Sequence, residues 1–178
     1  SALHSALSAR AQDAASPPPA GGLIAGPLPL SALAWLGPQI LLRLDQAYDD
    51  EAGGWGQRHK MALGAHIEVE LRRATHGDAG ALARVRQTLQ AQRALYDPVW
   101  GGVYQYSTGG DWDHPHFEKL LPFQTRNIEA LARAFKQTGE RSYLDDALRI
   151  ADYLQRFLLN ESGAFGVSQD ADLGGFEG

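Results

Sequence analysis

Residues 119–158 read KLLPFQTRNIEALARAFKQTGERSYLDDALRIADYLQRFL, and this stretch decides the fold. Leu121, Ile128, Leu131 and Phe135 recur at helical spacing, so a helix is expected from about Lys119 to Lys136. Gly139 then supplies the stop, since glycine takes the left-handed backbone that ends helices. Beyond it Tyr143, Ala147, Ile150, Leu154 and Leu158 make a second apolar stripe, closed by Asn160-Glu161-Ser162-Gly163. Ser142 to Asp145 has the spacing of a capping box, with aspartate in place of glutamate. So short a join turns the second helix back antiparallel to the first.

The same reading extends upstream. From Leu30 to just before Asp49 the chain is apolar nearly all round, with Trp35, Leu36, Ile40, Leu42 and Leu44, which predicts a buried first helix. A second helix is expected from Met61 to about Ala74, and a third from the cap at Asp78 to about Ala94, with Leu82, Val85 and Leu89 inward. Strand-like alternation is confined to Val103-Tyr104-Gln105-Tyr106 and Ala164-Phe165-Gly166-Val167, both read as small hairpins. The class is all-α: about five helices in antiparallel pairs, with long functional loops at one end. Residues 1–29 are rich in Ala, Ser, Pro and Gly, including Pro17-Pro18-Pro19, and read as a linker or arm before a domain at 30–178.

Composition narrows the function. The 178 residues are 44% hydrophobic and carry a net charge of -5, which suits a globular domain with a real core. Basic residues are scattered among acids, so nucleic acid is not an expected partner. There is no cysteine, which excludes disulfides and thiolate chemistry within this chain. No secretory signal pattern is visible, and the balance favours the cytoplasm. Residues 14–42 lack charge but are broken by six prolines, so membrane contact, if any, belongs to that segment as part of a peripheral assembly.

Three loops concentrate the chemistry. In Gly53-Gly54-Trp55-Gly56 the glycines allow close backbone approach, and Trp55 either stacks on a sugar ring or fills the core. The run from Asp97 to Lys119 holds Trp100, Tyr104, Tyr106, Asp111, Trp112, Asp113, His114, His116 and Glu118. A histidine beside a carboxylate serves acid–base chemistry near neutral pH. The same pair also serves simply to pin a loop. His114 and His116 fit no established zinc spacing, with Pro115 between them, and neither a metal nor a cofactor is expected. The third loop carries Asp170, Asp172 and Glu177, too irregularly spaced for a calcium loop but able to face a pocket.

Taken in order, these loops resemble the YyaL-like thioredoxin-domain protein family. The resemblance rests on Gly53-Gly54-Trp55-Gly56 with Lys60, on Trp100-Gly101-Gly102-Val103-Tyr104-Gln105-Tyr106-Ser107-Thr108, and on Trp112 with Pro115-His116-Phe117-Glu118-Lys119-Leu120. Gly163-Ala164-Phe165, Asp170-Ala171-Asp172 and Glu177-Gly178 complete it, so that it covers about Leu44 to Gly178. It implies a six-hairpin (α/α) barrel similar to those of N-acylglucosamine 2-epimerases. It further implies a carbohydrate-like ligand, with His116 as acid/base and Glu118 orienting it. Trp55, Trp112, His114, Asp170, Asp172 and Glu177 would then contact the sugar. The chain departs from the family at His59-Lys60-Met61-Ala62, where Pro-Lys-Phe-Pro is usual, and no cysteine-bearing thioredoxin part precedes the barrel. The family's last motif falls partway through its barrel, so the expectation is an incomplete barrel that associates with itself or with a protein partner. Two functions stay open: a sugar epimerase-like enzyme if the barrel is completed, or a structural, accessory subunit of a larger assembly.

Overall fold

A computed structural model describes residues 30–62 and 64–171. The arm expected at 1–29, and the candidates Asp172 and Glu177, lie outside the described residues. The chain divides after Tyr48 into two units. The first contains helix α1, Leu30–Gln46, which carries Pro38 in its interior. Proline has no amide to donate to Ala34 and so leaves that rung of the ladder open. Leu36 and Ile40 stand exposed, so this helix is not buried on all sides.

Among the described residues the second unit holds four α-helices: α2 (Gly64–Thr75), α3 (Ala79–Ala91), α4 (Leu121–Thr138) and α5 (Arg141–Tyr153). α2 packs on α3, α4 packs on α5, and α2 also packs on α4. Two antiparallel hairpins therefore stand side by side. Val85, Leu89, Leu95, Leu131, Ile150 and Tyr153 are fully buried between them.

The helix ends show how the sequence acts. Asp78 caps α3 by accepting from the amide of Ala81 at 3.1 Å. Gly139 ends α4 in the left-handed region at φ 74°, its amide donating to Phe135. The capping box expected at Ser142 is absent. α5 starts at Arg141, which leaves Ser142 inside the helix, and Asp145 instead accepts from Arg141 at 2.9 Å. α3 runs on as a tight 3₁₀ turn over Gln92–Leu95, and α5 as a π turn over Leu154–Leu158.

α2 and α4, which pack on one another as the inner helices with α3 and α5 outside them, begin later than their apolar pattern suggests, because a short strand takes their first residues. β1 (Lys60–Met61), β2 (Tyr106–Ser107) and β3 (Pro115–His116) form one sheet. β4 (Lys119–Leu120) and β5 (Ser168–Gln169) form another. The two expected hairpins are instead strand exchanges between successive loops. The bridges Tyr96 to Val103 and Leu159 to Phe165 close each loop on itself, and the residues just after them pair with the strand of the preceding hairpin.

This exposes an internal repeat. Asp-x-x-x-Gly-Gly stands at 49–54 and again at 97–102, and a variant one residue shorter begins at Asn160. Oδ1 of Asp49 accepts from the amides of Glu51 and Ala52, and Oδ1 of Asp97 from those of Val99 and Trp100. Asn160 does the same for Ser162 and Ala164. Each Gly-Gly pair packs against the outer helix of its own hairpin. A side chain at Gly54 would come within 2.7 Å of the Trp112 ring beside Thr88, and one at Gly102 within 2.7 Å of the Tyr153 ring.

Candidate functional site

The second carboxylate oxygen of each repeat aspartate holds a buried lysine. Lys60 Nζ lies 2.7 Å from Asp49 Oδ2, and Lys119 Nζ lies 2.6 Å from Asp97 Oδ2. Lys60 and Lys119 are the first residues of β1 and β4, so the pair ties each turn to the strand that leads into the inner helix. Burial works against ionisation of Asp97. Its hydrogen bonds from Lys119, Val99 and Trp100 outweigh that and hold the carboxyl below the usual range. The Lys60 hydrogen bond, with the amide of Ala52, holds Asp49 low as well.

The segment from Pro115 to Leu120 presents different chemistry on its two sides. On one, His116 stacks on Tyr106 with ring centroids 4.9 Å apart and planes at 15°. His59 meets Tyr106 edge-on at 5.4 Å. His116 Nε2 and Glu118 Oε2 are 3.7 Å apart, close enough for charge to act and too far for a hydrogen bond. Strand register fixes this group, because Met61, Tyr106 and His116 face one another across the first sheet.

On the other side, Phe117 and Lys119 line a cavity of about 280 Å³ with Asp97, Trp100, Tyr104 and Asp170. The Lys119 ammonium lies over three rings, 4.6 Å from Tyr153, 5.3 Å from Tyr104 and 5.9 Å from Trp100. Phe117 meets Tyr104 edge-on at 5.1 Å. Burial, and after it the charge on Asp97, raises Tyr104 to about 12, so its hydroxyl stays protonated at neutral pH. Gln169 accepts from the Tyr153 hydroxyl at 2.9 Å.

The remaining sequence candidates separate. Trp55 and Trp112 are buried, at 4% and 5% exposure, and their rings belong to the packing of the loops. Trp55 lies 5.0 Å from His66, and the Trp112 indole donates to Ala52 at 2.9 Å. Neither ring offers the open face that sugar stacking needs. Of the two alternatives for Trp55, this geometry is that of the core one. His114 is exposed and bonded to Asp111 at 2.9 Å. That hydrogen bond raises His114 and lowers Asp111. Asp170 lies at the rim of the aromatic cavity. Among the described residues no group of three or more His, Asp or Glu side chains converges as a metal site. No helix among them is long and apolar enough to cross a membrane.

Asp97, Lys119, Trp100 and Tyr104 were not singled out as site residues by the sequence reading. The repeated Asp-x-x-x-Gly-Gly followed by lysine was the signal that would have found the first two.

No protein-family model matches the chain. Over 152 residues it is 33% identical to spermatogenesis-associated protein 20 of Homo sapiens, covering 82% of this chain and 19% of that protein. An uncharacterized protein of Caenorhabditis elegans is 26% identical over 136 residues, covering 71% of this chain and 18% of the other. The chain thus spans about a fifth of the length of the curated relatives it matches. Among solved structures, a sugar epimerase from a ruminal bacterium superposes with a TM-score of 0.63 at 19% identity, over 72% of this chain and 36% of that one. The chain has an α/α-barrel fold. A cellobiose 2-epimerase from Spirochaeta thermophila matches 94% of it at TM-score 0.66 and 17% identity, over 39% of that barrel. A D-mannose isomerase matches 78% at TM-score 0.61 and 17% identity, again over 39% of its own length.

Proposed function

We propose that this chain is the loop-bearing part of a YyaL-like α/α barrel, and that its loop end binds a carbohydrate-like small molecule on which His116 acts as acid/base. Motif order and the barrel fold support the family reading. The observation that carries the chemistry is the placement of His116. It is half-buried, stacked on Tyr106 and 3.7 Å from Glu118, on a strand at the loop end of the helices. Stacking fixes the plane of the imidazole, and Glu118 stands beside its Nε2. Such a group removes a proton from the carbon beside a sugar carbonyl, the electron pair passing to the carbonyl oxygen; a solvent proton delivered to the other face inverts that centre, and His116 gives its own proton up to solvent.

The test is epimerisation of reducing sugars by the full-length protein in deuterated water, with His116→Gln beside it. Deuterium enters at the carbon next to the carbonyl in the wild type and not in the variant. Equal incorporation in both removes the assignment.

A second reading, an accessory subunit that docks on a partner or on a second copy, is favoured by one surface. Val99, Trp100, Leu148 and Phe157 are exposed apolar residues, and the first three line a cavity of about 390 Å³ with Arg149 and Asp152. A clustered apolar surface of this kind is a common mark of association. Leu148→Glu would dissociate such a complex in sedimentation velocity without changing the melting temperature.

A further inference from the structure

We infer that the cavity between Trp100, Tyr104 and Phe117 is a binding site for a single neutral pyranose ring, separate from the His116 side of the same segment. The inference takes its ligand class from the carbohydrate reading above but does not depend on catalysis by His116.

Three observations carry it. The first is size. At about 280 Å³ the cavity sits at the small end of ligand pockets, roughly 300–1,000 Å³, and so admits one ring rather than a chain of them. The second is the wall. Trp100 is 52% and Phe117 46% exposed, so two aromatic faces stand open on the wall of this cavity. The C–H face of a pyranose removes such surface from water, as an aromatic neighbour would.

The third is charge. Lys119 and Asp97 neutralise one another at 2.6 Å in the cavity floor, at 3% and 6% exposure, so the floor offers no net charge. The Lys119 ammonium already lies over the Tyr104, Trp100 and Tyr153 rings, which disfavours a second cation there. At the rim stand the carboxylate of Asp170 and the amide of Gln169, whose oxygen is engaged by Tyr153. Hydroxyl groups donate to the first and accept from the second.

The two sides of the Pro115–Leu120 segment therefore divide the work. His116 stacks on Tyr106 with Glu118 3.7 Å away, while Phe117 and Lys119 face this cavity. Losing one side should leave the other in place.

Saturation-transfer NMR on the full-length protein, with methyl β-glucopyranoside, methyl α-mannopyranoside and glucuronate as probes, tests the inference. At least one of the two neutral pyranosides receives saturation at its ring C–H protons, with affinity in the millimolar range. Trp100→Ala and Phe117→Ala each weaken it at least tenfold, while Trp100→Phe, which keeps an aromatic face, weakens it less. His116→Gln leaves it unchanged. Unaltered melting of the Trp100 variants shows that the loss is local, as an exposed ring allows. Binding that survives in Trp100→Ala and Phe117→Ala but fails in His116→Gln overturns this site and leaves the carbohydrate reading standing. Glucuronate binding more tightly than the neutral glycosides overturns the neutral-ring assignment. Saturation reaching none of the probes overturns the site together with the reading it rests on.

Discussion

Asp97→Asn changes one atom and removes the charge that faces Lys119. The amide oxygen still caps the turn, as Asn160 does in the third loop, so the amides of Val99 and Trp100 keep their acceptor. What remains is a lysine 3% exposed, without its counter-ion. Removing one partner of a buried pair costs about 3–5 kcal/mol. Contacts with the Tyr153, Tyr104 and Trp100 rings retain part of the stabilisation, at about 0.5–2 kcal/mol for a cation over an aromatic face, so the lower end, about 3 kcal/mol, is expected. Lys119→Met leaves Asp97 with two backbone donors and costs about 2–3 kcal/mol. The double variant holds no unpaired buried charge and costs about what one single variant does. The pair should therefore show a coupling of about 2–3 kcal/mol in a double-mutant cycle. Urea unfolding followed by tryptophan fluorescence measures this through the midpoint at constant slope. Additive single effects would refute the reasoning, since they would mean that Lys119 and Asp97 do not depend on one another.

The acid limb of stability follows from the same residues. Asp49 and Asp97 are held low in the folded chain, so their contribution is full above the unfolded value near 4 and is lost as pH falls from there through the lowered folded values. Urea midpoints between pH 7 and pH 3 should fall in the wild type and fall less in Asp97→Asn. Gly102→Ala meets the Tyr153 ring at 2.7 Å and requires φ 81°, whereas Gly77→Ala, at φ 90°, meets nothing within 4 Å. The first should cost about 2–4 kcal/mol, from strain plus overpacking, and the second about 1–2 kcal/mol. Equal losses in calorimetry would show that the contact with Tyr153 carries no energy. Gln124, fully buried, accepts from Val103 N and donates to Val103 O, each at 2.7 Å. Gln124→Leu strands both groups and should lower stability by about 2–4 kcal/mol in denaturant titration. An NMR titration should find His114 above its ordinary value, and Asp111→Asn should bring it down, because the Asp111 hydrogen bond is the leading cause of the shift.

The helical class was legible because apolar spacing reports burial directly. Leu131 and Ile150 are as buried as their stripes require, Asp78 starts α3 through its side-chain cap, and Gly139 ends α4 through its left-handed backbone. Helix starts were less legible. Met61 and Leu120 fit an apolar helical stripe, yet both lie in strands, because backbone pairing between loops distant in sequence competes for them. Local pattern carries no trace of a partner 45 residues away, as Met61 and Tyr106 are. The candidate site divided along similar lines. The Pro-His-Phe-Glu-Lys run marked where chemistry gathers. It did not show that Phe117 and Lys119 look into a cavity opposite His116. Trp55 and Trp112 illustrate why residue type alone misleads. A glycine-flanked tryptophan stacks on a ligand or fills the space the glycines leave, and at Gly54 the absent side chain is where the Trp112 ring sits.

The claim that the loop end takes a carbohydrate is tested most directly by saturation-transfer NMR with neutral monosaccharides on the full-length protein. Transfer to the sugar ring protons is expected, together with deuterium exchange beside the carbonyl of reducing sugars that disappears in His116→Gln. Absence of transfer to every sugar tried, with the protein folded, would contradict it.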